Sequence, residues 1–291
     1  MKGIFLIFVM AVFLVTCGQS TIKASQHDEG EILNLTFTRL ENDHQAKIGV
    51  YALDTESNKE VSYHADDRFA YCSTSKVLMV GAVLRQESLE GIKKTVSYTQ
   101  KDVLSYAPIT SKYVETGMTL EELCVAALRV SDNTAANLLL AHIGGTEGFK
   151  MSLRQIGDMV TEPARNEPML NEAVPEDLRD TSTPHQLAVD FQSYILGDIL
   201  TSEKKMMLIS WMAGNKNTDT LIRAGTPTDW LVADKSGTGG YGTRNDVAII
   251  TPPGRKPIIL AILTTHNDKE LKADDQLVAD IAKIVCEQFK K

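Results

Sequence analysis

No hydrophobic run in this 291-residue chain is long enough to span a bilayer. The longest, Ile4 to Val15, holds 12 residues, whereas a membrane-crossing helix needs about 20. An excess of positive charge is also missing: 30 Lys and Arg stand against 38 Asp and Glu, a formal net charge of −8. Without clustered cations the chain has no electrostatic footprint for nucleic acid or for an anionic membrane surface. Six histidines are scattered, four cysteines include no Cys-x-x-Cys pair, and no His/Cys cluster has ligand spacing. That pattern argues against a zinc enzyme. Internal repeats, low-complexity tracts and obvious linkers are absent too.

What is present begins at the N-terminus. Lys2 followed by the apolar run has the form of a secretory leader, so an extracytoplasmic protein is expected. Two processing sites are open. Cleavage near Ala24 would remove residues 1–24. Alternatively, Leu14-Val15-Thr16-Cys17 resembles a bacterial lipobox, with leader 1–16 and a lipidated Cys17 as the sole membrane contact, although Thr16 stands where that pattern prefers Gly, Ala or Ser. Cys72, Cys124 and Cys286 remain, and an odd number leaves at least one thiol free. Cys72 reads as a packed small apolar residue rather than a reactive thiol.

Residues 26–43 carry apolar positions at helical spacing, and Lys47–Asp54 with Val61–Tyr63 read as a β-hairpin. Helices are expected to begin near Ser73, Thr119, Asp132, Thr146, Pro184 and Ser202, with Thr119-Leu-Glu-Glu122 forming a capping box. Strands return at Trp230–Lys235, Asp246–Thr251 and Ile258–Thr265, and a last helix covers Leu271–Phe289 with Leu277, Ile281, Val285 and Phe289 on one stripe. Terminal strands around a helical middle imply an α/β chain of the α+β type: one antiparallel sheet flanked by helices, with a helical lobe inserted. The expected division is a single domain over 26–291. Its sheet part is about 26–70 plus 213–291, its helical part is about 71–212, and the site lies between them. Thr161–Pro184 stands apart. It holds four of the nine prolines, and its apolar anchors Met169, Leu170, Ala173, Val174 and Leu178 argue for a folded, functional loop.

Three short motifs lie in order along this frame. Ser73-Thr74-Ser75-Lys76 puts a hydroxyl and an amine on one face at the start of an apolar helix, Val77–Leu84. Lys76 Nζ is then within reach of Ser73 Oγ, and the helix N-terminus offers N–H groups to a developing oxyanion. Ser-x-x-Lys alone is weak, because it also occurs at Ser20–Lys23 and Ser202–Lys205. Ser131-Asp132-Asn133 by itself reads as a helix cap, Lys235-Ser236-Gly237 as a strand end, and Glu167 as a solvated loop carboxylate. Their co-occurrence in this order is the signature of class A β-lactamases and penicillin-binding proteins.

The resemblance to class A β-lactamases extends across the chain. It includes Phe69–Lys76, Ser131–Asn137, Arg165-Asn-Glu167-Pro-Met-Leu-Asn171, Arg179-Asp180-Thr181 and Asp234–Asp246. It implies a five-stranded antiparallel sheet and a cofactor-free monomer whose partner is a small β-lactam substrate. Ser73 would be the nucleophile, with backbone N–H groups of Ser73 and Thr238 as the oxyanion hole. Lys76 and Glu167 are both candidates for the acylation base. Ser131, held near Lys235, would pass a proton to the departing nitrogen. Glu167 with Asn171 would position and deprotonate the hydrolytic water. Asn133 would contact the substrate's side-chain amide, Tyr106 would form an aromatic wall, and Ser236, Thr238 and Arg244 would hold its carboxylate. Arg165 and Asp180 resemble the ion pair that pins the loop ends.

Ser236 stands where the family usually has Thr, and keeps the hydroxyl. Family members that hydrolyse carbapenems often bridge a cysteine at the position of Cys72 to one at the position of Gly239; glycine there forbids that bridge. The rival functions are a D,D-peptidase, which shares the three motifs but lacks the loop from Glu167 to Asn171, and a penicillin sensor that acylates once and holds the adduct.

Overall fold

The computed structural model describes residues 17–215 and 217–290, with side chains from residue 30 onward. The apolar run Ile4–Val15 and the side chain of Cys17 lie outside the described residues.

Helix α1 (Cys17–His44) leads into β1 (Lys47–Asp54), which turns back as β2 (Glu60–Tyr63). A short strand β3 (Phe69–Ala70) precedes the helical part: α2 (Ser75–Gln86), β4 (Thr95–Val96), β5 (Met118–Thr119), α3 (Leu120–Arg129), α4 (Asn133–His142) and α5 (Gly145–Arg154). After the long loop come β6 (Thr181–Ser182), α6 (Pro184–Ile195) and α7 (Ser202–Ala213). The chain closes with α8 (Ile222–Gly225), β7 (Leu231–Thr238), β8 (Arg244–Thr251), β9 (Ile258–Thr265) and α9 (Asp275–Gln288).

The main sheet has the order β2-β1-β9-β8-β7, antiparallel throughout, so strands from both ends of the sequence meet at the β1–β9 pair. That pair runs without a bulge from Lys47↔Thr265 to Asp54↔Ile258. Period-2 alternation divides the apolar side chains between two cores. Val50, Ala52, Leu260 and Ile262 face Phe37 of α1 and Leu277, Ile281 and Val285 of α9. Tyr51, Ile259, Ala261 and Leu263 face Leu78, Leu123, Phe149 and Phe191 of the helical part. A strand covered on both faces reads as a continuous apolar run, which is why Ile258–Leu263 shows no polar alternation.

Several boundaries differ from the sequence expectation, each for a local reason. Asp274 accepts a hydrogen bond from Leu277 N at 3.0 Å, which caps α9 at Asp275 rather than at Leu271. Strand β7 runs past Lys235 to Thr238, because its ladder with β8 continues to Thr238↔Arg244. Those three extra residues carry Ser236 and Thr238 to the mouth of the site. The two-stranded pairs β3–β6 and β4–β5 carry no sequence signal, since strands of two residues have no periodicity to read.

Candidate active site

Ser73 stands on a locked turn. Cys72 takes φ 49°, and Cys72–Thr74 form a 3-10 turn that hands over to α2 at Ser75. Thr74 Oγ1 donates to Tyr71 O at 2.6 Å and Ser75 Oγ to Cys72 O at 2.9 Å, so both neighbouring hydroxyls brace the turn. Gly237 of β7 lies directly against it: a Cβ there would meet Tyr71 O at 3.0 Å and Ser73 N at 3.2 Å. Ser73 Oγ is left to face the cavity, and it donates to Glu167 Oε1 at 3.4 Å.

Lys76 Nζ is buried and donates to Ser131 O (2.9 Å), Ser131 Oγ (3.1 Å) and Asn133 Oδ1 (2.7 Å). It also pairs with Glu167 Oε1 at 3.0 Å, both side chains being 1% exposed. Sequence spacing pointed Lys76 at Ser73; among the described residues its partners are instead Ser131, Asn133 and Glu167. The reason is tertiary: Ser131 and Asn133, at the entry to α4, bring a carbonyl, a hydroxyl and an amide oxygen against Lys76 Nζ. Burial holds the Lys76 ammonium below its ordinary range, against the opposing pull of Glu167. Ser131 takes φ 58° just ahead of α4, whose N-cap is Asp132. Asp132 Oδ2 also accepts from Ile109 N (3.0 Å) and Thr110 N (2.9 Å), which fixes the segment after Tyr106.

Glu167 is set by its loop. Arg165 Nε donates to Asp180 Oδ2 at 2.5 Å, and Asp180 Oδ1 accepts from Ala164 N, Arg165 N and Tyr71 Oη. The same carboxylate therefore pins both loop ends and ties them to Tyr71, two residues before Ser73. Asn137 grips the Glu167 backbone twice, donating to Glu167 O and accepting from Glu167 N, each at 2.9 Å. The Glu167–Pro168 bond is cis, and Asn171 Nδ2 donates to Glu167 Oε2 at 2.5 Å. Asn137 is part of the motif run from Ser131, yet its clamp was not legible, because nothing in the sequence sets α4 beside the loop.

The third wall comes from β7 and β8. Lys235 is buried and donates to Ser236 O at 2.7 Å, and the structure shows no direct Ser131–Lys235 hydrogen bond among the described residues. Burial, then the Lys76 charge, push Lys235 down to about 7. Behind it, burial raises both Asp234 and Asp246, Asp246 further through the Asp234 charge, while Arg223 holds Asp234 Oδ1 at 2.6 Å. Arg244 is anchored by Asp275 at 2.6 Å and donates to Thr238 Oγ1 at 2.6 Å.

Together these elements enclose a cavity of about 330 Å³ lined by Ser73, Tyr106, Ser131, Asn133, Asn171, Asn217, Ser236, Thr238 and Arg244. Asn217 is an addition. It follows α7 in a segment with no motif, held by Asn217 N donating to Asn215 Oδ1 at 3.0 Å. Lys76, Glu167 and Lys235 lie beneath the lining rather than in it. Cys72, Cys124 and Cys286 are buried free thiols; burial raises the Cys72 thiol, as expected for a packed residue. Among the described residues no group of three or more His, Cys, Asp or Glu could hold a metal.

A serine braced on a turn, facing a buried carboxylate–lysine pair between a sheet and a helical layer, defines a serine hydrolase fold and site. The model of the β-lactamase enzyme family matches residues 33–289. "Beta-lactamase 3" of Bacillus cereus is 53% identical over 257 residues, covering 88% of this chain and 81% of that protein. "Beta-lactamase ROB-1" of Haemophilus influenzae is 51% identical over 250 residues, covering 86% and 82%. The crystal structure of the class A β-lactamase from Clostridium kluyveri DSM 555 superposes with a TM-score of 0.88 at 61% identity, covering 89% of this chain and 99% of that one. The chain belongs to the β-lactamase family, class A, and its activity is hydrolysis of β-lactams.

Proposed function

We propose that Ser73 opens the β-lactam ring by nucleophilic attack and that Glu167 releases the product. The Ser73 oxygen bonds to the lactam carbonyl carbon, and the carbon–nitrogen bond breaks. The Ser73 proton leaves toward Glu167, whose Oε1 it already faces, and Lys76 Nζ connects that carboxylate to Ser131 Oγ. This gives an unbroken route by which Ser131 delivers a proton to the departing nitrogen. Backbone N–H groups of Ser73 and Thr238 receive the developing oxyanion. In the second half Glu167 takes a proton from water held against Asn171, the hydroxide oxygen bonds to the acyl carbon, the bond from that carbon to Ser73 Oγ breaks, and the proton returns to Ser73 Oγ as the opened product leaves. A positioned base of this kind contributes typically about 10²–10⁴-fold.

Arg244, Ser236 and Thr238 form the carboxylate subsite, supported by the cationic form of Lys235. Asn133 and Tyr106 face the substrate side chain. Penicillins and cephalosporins, which both carry that carboxylate, are the substrates, and their destruction confers antibiotic resistance. The protein works without metal, as a monomer outside the cytoplasm, delivered by the Ile4–Val15 leader. Loss of detergent-phase partitioning in Cys17→Ser would establish the lipid anchor, and an unmodified N-terminus at Ser25 would exclude it.

The observation that carries the reading is the burial of Glu167 beside Ser73, bonded to Asn171 and Lys76. A peptidase or sensor needs no such group. Mixing purified enzyme with excess chromogenic cephalosporin should give many turnovers per Ser73. A stoichiometric burst followed by a stable adduct would instead favour the sensor.

A further inference from the structure

A buried acid pair lies in the helical part, behind the root of the loop that carries Glu167. Asp158 is 0% exposed and Asp190 of α6 is 1% exposed. Asp158 Oδ1 accepts from Val160 N at 2.7 Å and Thr161 N at 2.9 Å, which shapes the chain as it enters the loop. From there Thr161 Oγ1 meets Ser182 Oγ at 2.7 Å, and Glu162 bridges Thr181, so the loop closes on this corner. Asp190 Oδ1 accepts from Gln186 Nε2 at 2.8 Å. The remaining oxygens, Asp158 Oδ2 and Asp190 Oδ2, receive no hydrogen bond from any N–H or hydroxyl among the described residues. The Asp158 carboxyl bears on Asp190, raising it by its charge and as a hydrogen-bond partner. Two carboxylates are acceptors only, so they can bond each other only through a proton.

We propose that Asp190 is a positioning residue for deacylation: it stays protonated at neutral pH and donates its O–H to Asp158, holding the root of the Glu167 loop. Asp158 is the acceptor of the pair, its Oδ1 already receiving two backbone N–H groups. Arg154 Nη1 lies 3.9 Å from Asp158 Oδ1 and also donates to Asp158 O at 2.6 Å. Burial, then the Asp158 charge, push Asp190 up to about 9, against the pull of Gln186 and Arg154.

The other charged groups around the pair are already engaged. From α2, Arg85 donates to Gln155 Oε1 at 2.8 Å. Lys150 and Arg154 of α5 both hold Glu162. Arg68, ahead of β3, donates to Val160 O at 2.7 Å and Thr181 Oγ1 at 2.9 Å. The hydroxyl of Tyr194, four residues on in α6, is buried without a partner among the described residues, and burial keeps it protonated. Ionising Asp190 therefore sets two like charges against each other at the loop root.

The functional half of this proposal rests on Glu167 as the deacylating base. The proton itself is tested independently. In Asp190→Asn the amide keeps a donor toward Asp158 but cannot ionise. The infrared difference spectrum at pH 7, wild type minus Asp190→Asn, should show the carbonyl band of a protonated acid. Asp190 has a folded pKa above its unfolded value, so its stabilising contribution is lost as pH rises toward about 9. The Tm of the wild type should accordingly fall several degrees relative to Asp190→Asn between pH 5 and pH 9. Single-turnover kinetics should show deacylation slowed at least tenfold in Asp190→Ala, restored in Asp190→Asn, and acylation unaffected in both. An absent carbonyl band together with parallel Tm curves overturns the shared proton, even if Asp190→Ala does not fold. A carbonyl band with unchanged deacylation in Asp190→Ala overturns the positioning role while leaving Glu167 in place. Failure of the wild type to deacylate at all would instead strike the role of Glu167, with infrared and Tm still deciding the proton.

Discussion

Asp180→Asn tests how the loop is held. Asp180 is buried and receives hydrogen bonds from Arg165 Nε, Arg165 N, Ala164 N and Tyr71 Oη. Arg165 is only 13% exposed on its side chain, so removing the carboxylate charge strands a largely desolvated guanidinium. Breaking a buried pair from one side costs about 3–5 kcal/mol. Arg165 retains Glu172 at 2.5 Å, which places the loss toward the lower end. For a domain of this size, about 3 kcal/mol lowers Tm by about 6–12 °C. The kinetic effect should be uneven. Tyr71 precedes the nucleophile turn, but Glu167 sits on the released loop, so deacylation should slow far more than acylation. Thermal melts would be paired with stopped-flow measurement of the two half-reactions on one penicillin. A Tm within 2 °C of wild type, or equal slowing of both steps, would refute the claim that Asp180 acts by pinning the loop.

Two further perturbations probe the nucleophile and its electrostatics. Gly237→Ala places a Cβ at 3.0 Å from Tyr71 O and 3.1 Å from Cys72 Cβ, so β7 must move off the turn. Acylation should drop by at least tenfold with a modest change in Tm, read by burst kinetics. Lys235 is cationic below about pH 7 and neutral above it, so its hold on a substrate carboxylate weakens as pH rises through that value. The kcat/KM of a penicillin should fall there through a rise in KM, and Lys235→Arg should move that limb to higher pH.

Much of the architecture was readable because the signals were local and strong. The alternation in Lys47–Asp54 and the apolar run of Ile258–Thr265 mark sheet strands, and the capping box at Thr119 marks the start of α3. The three motifs and Glu167 stand in order along the chain, and the structure places the expected site residues in or directly beneath one cavity. What the sequence could not show were contacts between segments distant along the chain. Lys76 bonds Ser131 rather than Ser73 because α4 delivers a carbonyl and a hydroxyl beside α2, a tertiary fact. Asn217 enters the cavity lining from a segment without a motif, and Asn137 acts on Glu167 across 30 residues. The acid pairs Asp158–Asp190 and Asp234–Asp246 look like ordinary surface residues until burial is known.

The most direct measurement is mass spectrometry of Glu167→Gln mixed with excess penicillin. The amide keeps the shape of the carboxylate but is no base, so deacylation should slow by about 10²–10⁴-fold. A stoichiometric penicilloyl adduct on Ser73 should therefore accumulate and persist for minutes. Unmodified protein turning over at the wild-type rate would contradict the account and remove Glu167 from the hydrolytic step.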